Sequence, residues 1–287
     1  MAVYYIYMDR RLPAKGAAAL LPDVFGKGAK IVAAVTLVWM IVVMAWSANL
    51  ANGAFPMVKD APVLGWTILA LAAWGAWKGR AACAACAGVL CLFLLVLYGV
   101  IAVFAVPDVE LKNLLPLGSW EDGILTVGVC LLPAAVWFLP CTNSRKKAAW
   151  QMALILPVFS GGLAVVTCGV LSPLLARSQT AALYTLAQSV SLFGVVERIE
   201  PLLSTAVTMG VFCLLSAMAC ACEQLWKEIF PWRWSGVLCC AAAAALMNWI
   251  GEMDIRILAG GCGVFFVLLP LISVWKSKMR PTNGGKN

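Results

Sequence analysis

Histidine is absent from the 287 residues, which removes the commonest general base and proton relay. Charge is scarce too. Asp, Glu, Lys and Arg make up 12% of the chain, about half the ~25% of an ordinary soluble domain. Such a composition leaves too little polar surface for a water-soluble fold. No pair of carboxylates, Ser/Lys dyad or Cys/His pair can be assembled, so the chain reads as a non-enzyme. It has no heptads, no Gly-rich phosphate loop after a strand and no soluble catalytic domain. No cofactor is implied.

Apolar residues take the place of charge: 63% of the chain is hydrophobic and mean hydropathy is +0.93. More than half the residues fall in eight runs without any Asp, Glu, Lys or Arg. These are 30–53 (after its opening lysine), 61–77, 81–106, 123–141, 148–172, 201–222, 235–250 and 257–275. A hydrocarbon core about 30 Å thick takes roughly 20 helical residues to cross. One charge at its centre costs about 2.5–3.5 kcal/mol on insertion scales. Clean runs of this length therefore mark membrane spans. Backbone groups in lipid must pair internally, which leaves helix bundles or closed barrels. Barrel strands alternate apolar and polar residues, whereas stretches such as 31–44 are apolar throughout. The expected fold is all-α: a polytopic transmembrane helical bundle of about eight spans.

The formal charge of +8 is a topology signal rather than a nucleic-acid patch. With eight alternating spans, sixteen of the 21 basic residues collect on one side, among them Arg10, Arg11, Lys78, Arg80, Arg145, Lys146, Lys147 and Lys276. Nine of the 13 acids collect on the other. Basic loops stay in the cytoplasm, so both termini are expected there. Residues 1–29 read as a cytoplasmic N-terminal segment, whose first sixteen residues are too short and polar for a cleavable signal peptide. Residues 30–276 read as the transmembrane domain and 277–287 as a cytoplasmic tail. Within that domain, 173–199 mixes Leu with Arg177, Gln179 and Gln188, which suits helices lying on the external face.

The twelve cysteines have two readings. Cys83-x-x-Cys86 has a metal or redox spacing, yet no second such pair or histidine accompanies it. Most of the others lie inside spans, where small residues let helices approach. Packing is the expected role, and no metal site is assigned. Asn49 and Asn248 sit near span ends, as interfacial residues would.

Gly128 and Pro133 interrupt the fourth run. Proline removes a backbone donor and clashes with the preceding turn. Helices broken near the bilayer midplane can hold a small zwitterion or ion, although Gly and Pro also make ordinary kinks. Ser204, Thr205 and Thr208 form a hydroxyl strip that faces a cavity or bonds back to its own helix. Glu197, Arg198 and Glu200 gather at a membrane edge as an ion-pair cluster. No acid lies in mid-span, which weakens a proton-coupled transporter reading.

Residues 5–16, 20–28, 112–116 (KNLLP) and above all 193–213 (FGVVERIEPLLSTAVTMGVFC) resemble the B subunits of spore germinant receptors. That GerAB family is a branch of the amino acid-polyamine-organocation (APC) transporter superfamily. Its most specific match is Glu197-Arg198-Ile199-Glu200 before the sixth run. The resemblance implies an APC-transporter-like bundle in a spore inner membrane or cell membrane. It implies an amino acid or similar small nutrient as ligand, and A-type and lipoprotein C-type subunits as partners. Full-length members have ten spans as an inverted repeat of five plus five. The first run here then matches their third, which leaves one wall of the superfamily site unmatched. The ligand residues implied are Trp39 and Val43 on the first run, Thr126, Gly128 and Val129 on the fourth, and Ser204 and Thr208 on the sixth. An amino-acid transporter of the same superfamily and a membrane partner that binds no ligand remain as alternatives.

Overall fold

A computed structural model of the chain describes residues 4, 7–8, 16–53, 63–114, 132–139, 161–162, 164–172, 185–186, 200–230, 232, 234–250 and 253–279. The regular elements among them are all helical. The principal α-helices are α1 (Leu21–Phe25), α2 (Ala29–Gly53), α3 (Val63–Lys78), α4 (Arg80–Ala105), α5 (Glu200–Ile229), α6 (Ser235–Ile250), α7 (Ile255–Cys262) and α8 (Leu269–Met279). A six-residue π turn, Gly263–Leu268, joins α7 to α8, and a 3-10 helix runs over Leu132–Phe138.

Four helical stretches among the described residues are long and apolar enough to cross a membrane. They are Ala18–Asn52, Arg80–Asp108, Ser204–Ile229 and Ile255–Lys276. Two further apolar helices, α3 and α6, have 16 residues each. At 1.5 Å per residue these reach about 24 Å, short of a ~30 Å core; such mismatch is met by local thinning and by anchoring residues at the ends. Six of the eight apolar runs thus coincide with helices. The runs at 123–141 and 148–172 fall largely outside the described residues, as does most of the expected external segment 173–199, so four spans are seen where eight were expected.

The central strut is α5, packed by α2, α3, α4 and α6 and by the 132–138 segment. Lipid tails are as apolar as leucine, so helices gain little from hydrophobicity and associate by close packing. The interfaces accordingly use small residues: Ala45, Ala48, Ala72, Ala219, Ala221 and Ala243 are fully buried. Gly65 takes this furthest. A methyl group there would sit 2.6 Å from Met247 Sδ and 3.0 Å from the Ala48 carbonyl oxygen. Two asparagines tie the same end together. Asn49 Nδ2 donates to the Met247 carbonyl at 2.9 Å, and Asn52 Oδ1 accepts from the Gly65 N–H at 2.7 Å. The second bond satisfies one of the orphan donors in the first turn of α3.

At the opposite end, α3 and α4 are joined by Gly79 alone. Its φ of +103° is open to glycine and costly for other residues. Lys78, Arg80 and the Glu223–Lys227 ion pair (2.7 Å) gather here. The contacts therefore alternate helix direction as the charge pattern requires.

Residues 16–28, placed by the sequence ahead of the transmembrane domain, dock onto it. Ala17, Ala18, Leu21 and Val24 are buried, the first three in the main core, and the Ala17 N–H donates to the Trp137 carbonyl at 2.9 Å. By contrast, α4 faces outward, with only 11% of its apolar window buried against 56% for α2 and α5. Its far end joins a second, smaller cluster of Ile101, Ala105, Val166, Leu171 and Leu186.

Candidate functional site

Proline decides the most distinctive local geometry. Pro270 has no N–H to donate to the Phe266 carbonyl four residues earlier, so the α-helical ladder cannot run through it. The backbone widens instead, and the Leu269 N–H reaches back five residues to the Val264 carbonyl. Single π turns of this kind recur at functional sites. The Phe266 carbonyl is met by the Tyr4 hydroxyl, which donates to it.

Aromatic rings surround this turn. Trp39 stacks on Phe265, with centroids 5.6 Å apart and planes at 22°. Phe138, at the end of the 3-10 segment, meets Phe266 edge-on at 6.5 Å and 68°. Gly261 lies under the Trp39 ring, and a methyl group there would overlap the indole. The Trp39 N–H is buried beside the Cys262 thiol and lacks a conventional hydrogen-bond partner. Trp39 falls near the middle of α2, and the turn near the middle of the α7–α8 stretch. The 3-10 segment 132–138 and the π turn of the α7–α8 stretch therefore meet beside Trp39, midway along α2 and level with the Cys222 end of α5. The centre offers aromatic faces, helix-break carbonyls and a buried indole N–H beside the Cys262 thiol. Among the described residues around it there is no pair of groups suited to acid–base chemistry.

The ligand residues implied by the resemblance do not all converge on this centre. Trp39 is part of it. Val43, one turn along α2, is fully buried in the main core. Pro133 lies in the 3-10 segment, half-buried. Ser204 is buried, and the Thr208 hydroxyl donates to the Ser204 carbonyl at 2.9 Å, the back-bond within its own helix. Cys222 Sγ is 3.8 Å from Met40 Sδ, which fixes the level of Trp39 against α5. Thr208 and Ser204 lie 14 and 18 residues away from Cys222, or about 21 and 27 Å along the axis. The hydroxyl strip is thus near the far end of the bundle. Thr126, Gly128, Val129, Glu197 and Arg198 lie outside the described residues, and Glu200 is the first residue of α5.

Sequence reading missed the π turn, although Gly260, Gly261 and Gly263 followed by Pro270 signalled it. It also missed Tyr4, Phe138 and Phe265, which carry no local mark. Asn49, read as interfacial, is a link between α2 and α6. The ten described cysteines are free thiols, and no group of three or more Cys, Asp or Glu among the described residues is arranged to hold a metal ion. No protein-family model, curated protein or solved structure matches the chain.

Proposed function

We propose that this chain is the membrane subunit of a nutrient receptor of the spore-germinant type, as the resemblance over residues 193–213 implies. In this reading a small nutrient such as an amino acid binds near the interrupted centre. It biases the bundle between two arrangements, and A-type and lipoprotein C-type subunits read the change in a spore inner membrane or cell membrane. The observation that supports it best is the π turn of the α7–α8 stretch, packed with the 3-10 segment 132–138 beside Trp39; helix breaks are where transporter-like bundles bind small solutes. Only a difference in affinity between the two arrangements can carry a signal. Moving a bundle from 1:99 to 99:1 takes about a 10⁴-fold preference.

A second reading, a membrane partner without a ligand of its own, is favoured by the filling of the same centre. Phe138, Phe266, Met40 and Val43 have no exposed surface, so a ligand would have to displace them.

Equilibrium dialysis of the detergent-solubilised protein against each of the twenty radiolabelled amino acids separates the two. The receptor reading expects saturable binding of at least one, weakened tenfold or more by Trp39→Ala. Binding untouched by that change would remove the interrupted centre as the site. Absence of binding by every amino acid, with intact association to partner subunits, would favour the structural reading. Concentrative uptake into vesicles would instead identify a transporter.

A further inference from the structure

On the outward side of the bundle, α3 and α6 diverge to leave an apolar groove of about 430 Å³. Its floor and walls come from Leu69, Ala70, Ala73, Ala241 and Ala244, with Trp66 towards one end and Trp74, Trp77 and Trp234 at the other. The walls are built rather than loose: Trp77 and Trp234 stack with centroids 5.8 Å apart and planes at 20°. That stack sits where Lys78 begins the turn. Lys78 Nζ lies 5.6 Å from the Trp77 ring centre and 6.0 Å from that of Trp74, and Arg80 is exposed two residues on.

Three features identify what fits. The groove is open on a face that lipid bathes, so its occupant comes from the bilayer. From Trp66 to Trp77 is eleven residues, about 16 Å of helix, close to half of a ~30 Å hydrocarbon core; that is the depth of one leaflet. The mouth carries the Lys78 cation among tryptophans, the residues that mark the headgroup level, and basic pockets between helices on the cytoplasmic side take anionic headgroups. We propose that this groove is a binding site for one anionic phospholipid, with an acyl chain along the alanine floor and the phosphate at Lys78. The site is distinct from the interrupted centre, and its occupancy tightens the α3–α6 pairing. Alanine makes the floor shallow enough for a chain, and the rigid tryptophans define its edges with little rotamer entropy to lose.

Native mass spectrometry of the full chain, released from nonionic detergent after addition of phosphatidylglycerol or phosphatidylcholine, tests this directly. One phosphatidylglycerol should stay bound in preference to phosphatidylcholine. Lys78→Gln should weaken its retention about fivefold, the factor one basic residue contributes beside an anionic leaflet. Ala241→Phe, which fills an exposed part of the floor without touching the core, should abolish it while the melting temperature in detergent holds. Equal retention of the two lipids, or retention of phosphatidylglycerol unchanged in both variants, would overturn the proposal. So would a dimer that Ala241→Phe dissolves, since a second copy of the chain would then be the occupant.

Discussion

Removing the Tyr4 hydroxyl should expose how the π turn is held. In Tyr4→Phe the Phe266 carbonyl loses its side-chain donor, and Pro270 cannot replace it. An unmade hydrogen bond to a buried group costs about 1–3 kcal/mol in water-soluble proteins. Inside membrane proteins measured couplings average nearer 0.6 kcal/mol, with a maximum of about 1.7 kcal/mol. Because Tyr4 is half-buried and the turn is midway along the α7–α8 stretch, about 1 kcal/mol is expected, or roughly a fivefold change in the unfolding equilibrium. Pro270→Ala supplies the missing N–H and lets the ladder close as an α-helix. In that background the Phe266 carbonyl has a backbone donor, so Tyr4→Phe should cost close to nothing. The assay is a double-mutant cycle on reversible unfolding in mixed micelles, with the coupling read from the four midpoints. If Tyr4→Phe costs the same with proline and with alanine at position 270, the carbonyl is not what the hydroxyl serves, and the account of the turn is wrong.

Other outcomes follow from the packing. Gly65→Ala should destabilise by about 1–3 kcal/mol, the usual range for overpacking, because the Ala48 backbone cannot move aside even if Met247 can. Gly88→Ala should do the opposite. Nothing approaches within 4 Å of that position on α4, so relief of glycine's helix penalty should stabilise by about 0.5–1 kcal/mol; thermal unfolding of both variants side by side checks the pair. Asn49→Ala should cost about 0.6–1.7 kcal/mol and loosen α2 from α6, seen as faster hydrogen exchange at both helix ends facing Met247. Reporter fusions after Lys78 and after Lys276 should report the cytoplasm. A fusion after Asp254 should report the opposite side, and any of the three on the wrong side would break the alternation of helices.

Hydropathy alone located six helices, five of them to within a few residues and α5 short by the seven residues to Ile229, because the cost of burying charge in lipid acts on every residue independently of its neighbours. Neighbouring helices alternate in direction, as the charge pattern expected: Gly65 meets Ala48 and Met247 at one end, and Trp77 meets Trp234 at the other. Pro133 stands inside the 3-10 segment Leu132–Phe138, while Gly128, its partner in the expected break, lies outside the described residues. What could not be read was which interruption meets which. The π turn is signalled by Pro270, but its company of Trp39, Phe138 and Tyr4 depends on contacts separated by more than a hundred residues. The distance between Trp39 and the Ser204–Thr208 strip was equally hidden, because a one-dimensional resemblance does not state the level at which Met40 meets Cys222. Nor did the alanines and tryptophans of α3 and α6 announce a groove. Solvation by lipid is a one-body effect and is legible in composition; close packing of helices is a many-body effect, settled only when side chains from distant runs compete for the same space.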